Sequence, residues 1–428
     1  MLQSSFRHPV FTLTAIQQIA LHNDMMVRIV ASVLVLFIVG LSHAKAIDRE
    51  KMLRDSVVRY GVEIEPYLKS LNNQKIVEDF NYSPYINKFL KEHKYVKFPP
   101  YKLTIGYDES FPSYKSHLVV SSGNRLYFPK GSSLECPKDM KTNGYMVFIS
   151  WDVKDVFIDG IQLTGSKANP NYITSPYGAG IAMYAPTKVL ISNAKISQNS
   201  GDGITVRVQW KKQSEDITIN NARITNATRV GMLVNGIVNG DFRNIYISGT
   251  GEKTKEKVQK PQTALSFEPN DCTSKYINCR FYNLETRNNL GPVLATTNFY
   301  AIYFKNTCGP NKVDVVINKW KDYNDDPACY GASFDVASGS MEGFDTKDLT
   351  GTFKIINPTI IRNTKKDLYD YYFFHGHNEK SKGGVTYTLS NLKLVHRGAT
   401  YNVRNKQQNK EINSLISSGN LSNKVKIN

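Results

Sequence analysis

Cysteine is scarce in this chain: Cys136, Cys272, Cys279, Cys308 and Cys329 are the only five among 428 residues. None stands in a C-x-x-C pair or at zinc-site spacing from a histidine, which removes cysteine-based metal and redox motifs from consideration. Their odd number leaves at least one thiol free or paired between molecules. Phosphate-cradling glycine loops, a P-loop and Ser-His-Asp spacing are missing too, so no nucleotide-hydrolase or serine-triad signature is present. Acidic residues are in deficit, 37 Asp and Glu against 54 Lys and Arg, for a formal charge of +17. A field of that sign attracts polyanions, whether nucleic acid, an anionic membrane or an acidic glycan.

Long apolar runs are absent with one exception. Ile29 to Leu41 reads IVASVLVLFIVGL, with Arg28 before it and Ala44-Lys45-Ala46 after it. A basic flank, a short apolar core and a small-x-small site describe a secretory signal peptide, with translation starting at Met25 or Met26; a membrane-anchoring helix is the other reading. Cleavage after Ala46 removes Arg7, Arg28, Lys45 and Asp24 and leaves a formal charge of +15. The mature chain is then expected to be secreted, extracellular or periplasmic, without a membrane partner. An exported protein seldom meets nucleic acid, so an acidic polysaccharide becomes the favoured partner.

Residues 47–94 carry a helical pattern, with Leu53, Val57, Ile64, Leu68 and Leu71 spaced in threes and fours. From Tyr95 to about residue 400, short β-branched and aromatic runs recur between Gly, Asn, Asp and Ser, and no long helical pattern intervenes. Residues 401–428 form a polar tail. The β runs repeat. One column aligns Ile158, Ile191, Ile219 and Ile277, followed by Asp159-Gly160, Ser192-Asn193, Asn220-Asn221 and Asn278-Cys279. Small polar residues there suit a bend that stacks asparagines from turn to turn.

A second column aligns the segments starting at Gly180, Gly203, Gly231 and Ala264, which are 23, 28 and 33 residues apart. In each, the second and fourth residues are large and apolar, whereas the third and fifth vary. Intervals of that length mark a solenoid, and a parallel β-helix needs about that many residues per coil. The expected architecture is an all-β parallel β-helix with the helical segment as its N-terminal cap. A fifth coil falls at Pro292–Thr296 or Ala301–Lys305, and runs at Val313, Phe353 and Val385 extend the stack. A β-sandwich also yields many short strands but predicts no common coil length.

The stretches VKFPP, FISWDVKDVFIDGIQLTG, NAKISQNSGDGITV and ALSFEPND resemble the pectate-lyase-like superfamily of right-handed parallel β-helix proteins, over roughly residues 85–300. Among exported basic members, the chain is most similar to biofilm-matrix polysaccharide lyases. The resemblance implies the fold and a polysaccharide ligand but not the reaction, since lyases, hydrolases, epimerases and tailspikes share it. Pectin hydrolases of the superfamily carry Asn-x-Asp, Asp-Asp and Gly-His-Gly on adjacent coils. This chain has Asp325-Asp326 and, fifty residues later, His375-Gly376-His377, which departs from that pattern.

The fifth residues of the second column, Tyr184, Arg207, Asn235 and Glu268, are expected to point outward from successive coils as a polar row about 15 Å long. Thr205 and Ser266 flank it. Cleavage of a uronate polymer by β-elimination needs the carboxylate neutralised, a base for the adjacent carbon-bound proton and an acid for the leaving oxygen. Arg207 can pair with the carboxylate, Asn235 can donate to it, and Tyr184 beside Arg207 can move the proton. Glu268 can orient Arg207, bind hydroxyls, or hold Ca²⁺ with Asp271. Alternatively Asp202 and Glu268 are the paired carboxylates of a glycoside hydrolase, although a carboxylate before a turn glycine, as Asp202 is, commonly takes turn amides. Arg229, Lys211, Lys212 and Lys253, Lys255, Lys257 and Lys260 lie between coils, where they are ordinary solvated charges or hold an acidic chain. A polysaccharide-binding protein without catalysis is the third possibility.

Overall fold

The computed structural model describes residues 48–108, 110, 116–137, 144–168, 178–252, 262–269, 273–291, 293–296, 311–326, 334–336, 349–362, 374–376, 384–396 and 426–427. The chain divides into two compact units, Met1–Asp55 and Ser56–Asn428, the first described only over its helical residues 48–55. The apolar run at Ile29–Leu41 lies outside the described residues, among which no helix is long and apolar enough to cross a membrane.

The body winds. Ile181–Tyr184 is followed by Thr187–Ser192, Ile204–Arg207 by Ser214–Thr225, Val230–Val234 by Ile237–Ser248, and Thr263–Phe267 by Tyr276–Arg287. The first strand of each pair joins a nine-stranded sheet, the second an eighteen-stranded sheet, and every pairing between successive turns is parallel. A chain that returns to the same two sheets once per turn, always in the same direction, is a parallel β-helix. Leu294–Thr296 provides the next coil, so Pro292–Thr296 and not Ala301–Lys305 continues the column. Residues 401–425 lie outside the described residues, and Lys426–Ile427 pairs with Lys393–Leu394.

Apolar alternation fills the interior. Ile158, Ile191, Ile219, Phe242, Phe281, Ile317, Ile355 and Leu389 stand opposite one another coil by coil, all buried. Phe242 and Phe281 stack with ring centroids 4.4 Å apart. The sequence alignment that placed Ile277 in this column skipped the coil of Phe242 and missed the position on the next coil by four residues. Phe242 and Phe281 occupy its positions, whereas Ile277 stands opposite Val238. Close packing between coils is extreme at Gly203, where a β-carbon would meet Ile224 Cγ2 at 2.3 Å and the Gly231 carbonyl oxygen at 2.5 Å.

Bends in the larger sheet are made by asparagines with left-handed backbone. Asn193, Asn221, Asn244 and Asn283 have φ between 54° and 58°. The amide of Asn193 donates to Asp159 (2.7 Å), that of Asn221 to Asn193 (2.6 Å) and that of Asn283 to Asn244 (3.0 Å). Asn278 belongs to a separate ladder, donating to Asn239 (3.1 Å), which donates to Asp216 (2.9 Å).

At the N-terminal end of the body, the helix Ser83–Glu92 buries Ile86, Phe89 and Leu90. Pro84 in its first turn suits a position whose amide has no helical partner. From its buried face Asn87 reaches the first strand of the nine-stranded sheet, Leu118–Val120. Its side-chain oxygen accepts from the Val119 amide (2.8 Å), and its nitrogen donates to the His117 carbonyl (2.9 Å) and to Asp108 (2.7 Å). Polar groups at the sheet's edge are thereby satisfied.

Candidate functional site

Register in the nine-stranded sheet sets the site. Ile181, Ile204, Met232 and Leu265 stand opposite one another, as do Met183, Val206, Val234 and Phe267, and all are buried. Alternation sends the residues between and beyond them to the other face. Tyr184 is opposite Arg207. The same pairing runs one residue past the next strands, where the Asn235 amide donates to the Val206 carbonyl (2.8 Å) and the Glu268 amide to the Val234 carbonyl (3.0 Å). Tyr184, Arg207, Asn235 and Glu268 therefore occupy equivalent positions on four successive coils.

This row is not a solvated stripe. Tyr184 is 7% exposed, Asn235 3%, and Asp202, Thr205 and Ser266 are fully buried. The Tyr184 hydroxyl is hydrogen-bonded to that of Tyr145, and its ring packs against Tyr145 and Phe148 with centroids 5.6 and 5.5 Å away. The Arg207 guanidinium carbon lies 5.4 Å from the Tyr184 ring centroid on the other side of the coil-to-coil stack. Tyr145 and Phe148 were not among the sequence candidates. The fold brings them in, because Val147–Ile149 pairs with Ile181–Met183 and puts Phe148 opposite Ala182.

Asp202 gathers the cations. Arg229 grips it with two parallel bonds, Nε to Oδ1 (2.8 Å) and Nη2 to Oδ2 (2.9 Å), while Thr205 donates to Oδ2 (3.2 Å). Arg207 Nη2 stands 3.8 Å from the same oxygen. The carboxylate of Asp202 thus serves side chains of neighbouring coils. Burial works against the Arg229 charge, yet the Asp202 pair outweighs it and holds the guanidinium above its ordinary pKa. Burial likewise pushes the Glu268 carboxyl up; Arg229 and Arg207 pull it down and Asp202 pushes with burial, leaving it above the usual carboxylate range.

Four polar atoms of this cluster are buried without a hydrogen-bond partner among the described residues: Arg207 Nε, Asn235 Oδ1, Ser266 Oγ and Glu268 Oε2. The other end of the Asn235 amide is fixed, since its nitrogen donates to the Glu268 carbonyl oxygen. An arrangement of this kind can bind an anion through Arg207, exchange hydrogen bonds with hydroxyls through Asn235 and Ser266, and give a proton from Glu268.

Other sequence candidates fall elsewhere. Asp325 accepts from Arg287 (2.6 Å). His375 lies on the nine-stranded sheet opposite Asp335, which is opposite Ala295, which is opposite Ser266. His377, Asp271, Cys272, Cys308, Cys329 and the Lys253–Lys260 run lie outside the described residues. Cys136 and Cys279 are free thiols, and burial pushes Cys136 up to about 12. The guanidinium groups of Arg229 and Arg207 act on Glu268, and Asp271, its expected partner at a calcium ion, lies outside the described residues. Among the described residues no group of three or more His, Cys, Asp or Glu side chains is gathered for a metal ion.

No protein-family model matches this chain, and no curated protein sequence matches it. Solved structures similar to it include the catalytic domain of a GH87 α-1,3-glucanase in complex with tetrasaccharides, at 13% identity, covering 76% of this chain and 68% of that one with a TM-score of 0.40. The A-module of the Azotobacter vinelandii mannuronan C-5 epimerase AlgE6 shares 10% identity over 75% and 95% of the two chains, with a TM-score of 0.44. The Streptococcus pneumoniae surface protein and adhesin PfbA shares 11% over 79% and 96%, with a TM-score of 0.45.

Proposed function

We propose that this protein is an exported polysaccharide lyase that cleaves a uronate-containing polymer by β-elimination at the row Tyr184, Arg207, Asn235 and Glu268. The observation that carries this reading is the cluster of four buried polar atoms on adjoining coils that have no partner among the described residues. Buried polar groups are nearly always satisfied, and each one left unmade costs about 1–3 kcal/mol. Four together imply that the partner is a ligand rich in oxygen. Two guanidinium groups face one fixed carboxylate, so the cluster is cationic whenever Glu268 is neutral and favours an anionic sugar. Strand spacing of about 4.8 Å is close to the length of one sugar unit.

In the proposed reaction Arg207, whose Nε is uncommitted, pairs with the substrate carboxylate and acidifies the proton on the adjacent carbon. Tyr184, whose ring lies beside that guanidinium, is the base that takes the proton. The electron pair forms the carbon–carbon double bond, the glycosidic carbon–oxygen bond breaks, and neutral Glu268 protonates the leaving oxygen. Arg229 is held on Asp202 and positions the cluster without facing substrate alone. The acidic character of the polymer rests on the charge of the chain, and export and the biofilm-matrix setting rest on the sequence alone.

A hydrolytic reading has one specific support, the raised pKa of Glu268 near the carboxylate of Asp202, as a glycosidase acid requires. Against it, both Asp202 oxygens are committed. The deciding experiment incubates the purified protein with polygalacturonate, alginate and bacterial biofilm matrix, following ultraviolet absorbance of the unsaturated product together with polymer size. Absorbance should rise as the polymer shortens, and Arg207→Ala and Tyr184→Phe should each lower the rate about 100-fold or more. Full activity in both variants would sink the proposed site. Shortening without absorbance would establish hydrolysis, and binding without shortening a non-catalytic matrix protein.

A further inference from the structure

Outside the catalytic row, Trp210 is 70% exposed, whereas Trp320, another of the three tryptophans, is fully buried in the coil interior. Trp210 sits at the tip of a tight turn. Gln209 and Lys212 close it with two backbone bonds, Gln209 N–H to the Lys212 carbonyl (3.0 Å) and the reverse (2.9 Å). Both central residues have left-handed backbone, with φ of 52° at Trp210 and 63° at Lys211. Two-residue turns of this form strongly prefer Asn-Gly, because a β-carbon is strained there. The chain instead places its largest apolar side chain in that position and leaves it in water. Strain kept to hold so exposed a side chain points to function.

The ring has a companion. Trp151, half-buried after the strand Val147–Ile149, meets Trp210 edge to face, with centroids 6.4 Å apart and planes at 79°. The two come from coils separated by the coil of Ile181–Tyr184, whose residues at that level, Ala185 and Pro186, are small and buried. Trp210 follows Arg207 by three residues, about 10 Å along an extended chain. The pair therefore lies beside the row, just beyond the strand ends.

We propose that Trp210, braced by Trp151, is a stacking platform for a sugar ring of the acidic polysaccharide, with Lys211 at the turn's tip facing that sugar's carboxylate. An indole face offers a flat apolar surface for the C–H face of a pyranose, and a cation beside it selects an acidic one. This deepens the polysaccharide reading above and rests on it.

The test is a double variant, Trp210→Asn with Lys211→Gly, in the full chain. It installs the residues the turn prefers, so its melting temperature should equal or exceed that of the parent. Affinity for polygalacturonate or alginate, by calorimetry, should fall about tenfold, with dextran as the neutral control. Trp210→Ala should lose affinity alike, and adding polymer to the parent should shield Trp210 from iodide quenching. Unchanged affinity in the double variant would overturn the platform while leaving the cleavage reading to its own test. A lower melting temperature would make the turn a structural element and overturn it too. If the parent binds none of these polymers, platform and polysaccharide reading fail together; binding through Trp210 without cleavage would keep the platform and remove the lyase.

Discussion

Glu268 has two arginines for neighbours and is still held above the ordinary carboxylate range, because loss of water outweighs attraction at that depth. A group shifted upward keeps its proton to higher pH and loses it as pH rises through the folded pKa. As the acid of the reaction, it should therefore give a rate that declines on the alkaline side of that pKa, displaced above the usual value of about 4.3. Glu268→Gln should remove this limb and lower the rate about 10² to 10⁴-fold. A pH–rate profile unchanged in the Gln variant would take the acid role from Glu268. At this scale the row itself was legible, since period-two alternation identifies outward positions from spacing alone. Pairings across coils were not. Arg229 read as one more loop cation beside Lys211, yet it folds onto a carboxylate 27 positions earlier, a contact that only stacking creates. Tyr145, outside both aligned columns, gave no reason to be joined with Tyr184.

Coil-by-coil elements show where local chemistry decides. Asn221 combines left-handed backbone with a hydrogen bond to Asn193, so its amide offsets the strain that its own β-carbon creates. Asn221→Ala should lower stability by about 1–2 kcal/mol, and Asn221→Gly by about half as much, because glycine relieves the backbone but cannot rebuild the ladder. Denaturant titration of the three proteins checks the order; equal losses in Ala and Gly would assign the whole effect to the hydrogen bond. Stacked asparagines were foreseen, though one was put in the wrong ladder. Ile277-Asn278 imitates Ile219-Asn220 in sequence, while the true successors of Ile219 are phenylalanines. A motif of an aliphatic residue followed by asparagine occurs at more than one bend of a coil, and identity of letters cannot say which bend it is.

For the molecule as a whole, winding was the most legible property, because four segments at intervals of 23, 28 and 33 residues proved to be in register. Repetition carries that information many times over, whereas a site carries it once. Each coil rests chiefly on the coils beside it, so stability in such a body is close to a sum over neighbours, and the first coil has a neighbour on one side only.

Seen as a growing polymer, the stack needs a terminator, and Asn87 is one. A residue in a preceding parallel strand would accept from Val119 and donate to His117; the side-chain amide of Asn87 does both, counterfeiting a single peptide unit. Nothing further can then add at that point. Asn87→Leu should uncap the edge and leave Val119, His117 and Asp108 seeking partners, so light scattering should find larger species than the parent forms at equal concentration. Where the variant stays the same size, termination belongs to the helix as a body; where it grows, one carboxamide separates a finished molecule from the seed of a fibre.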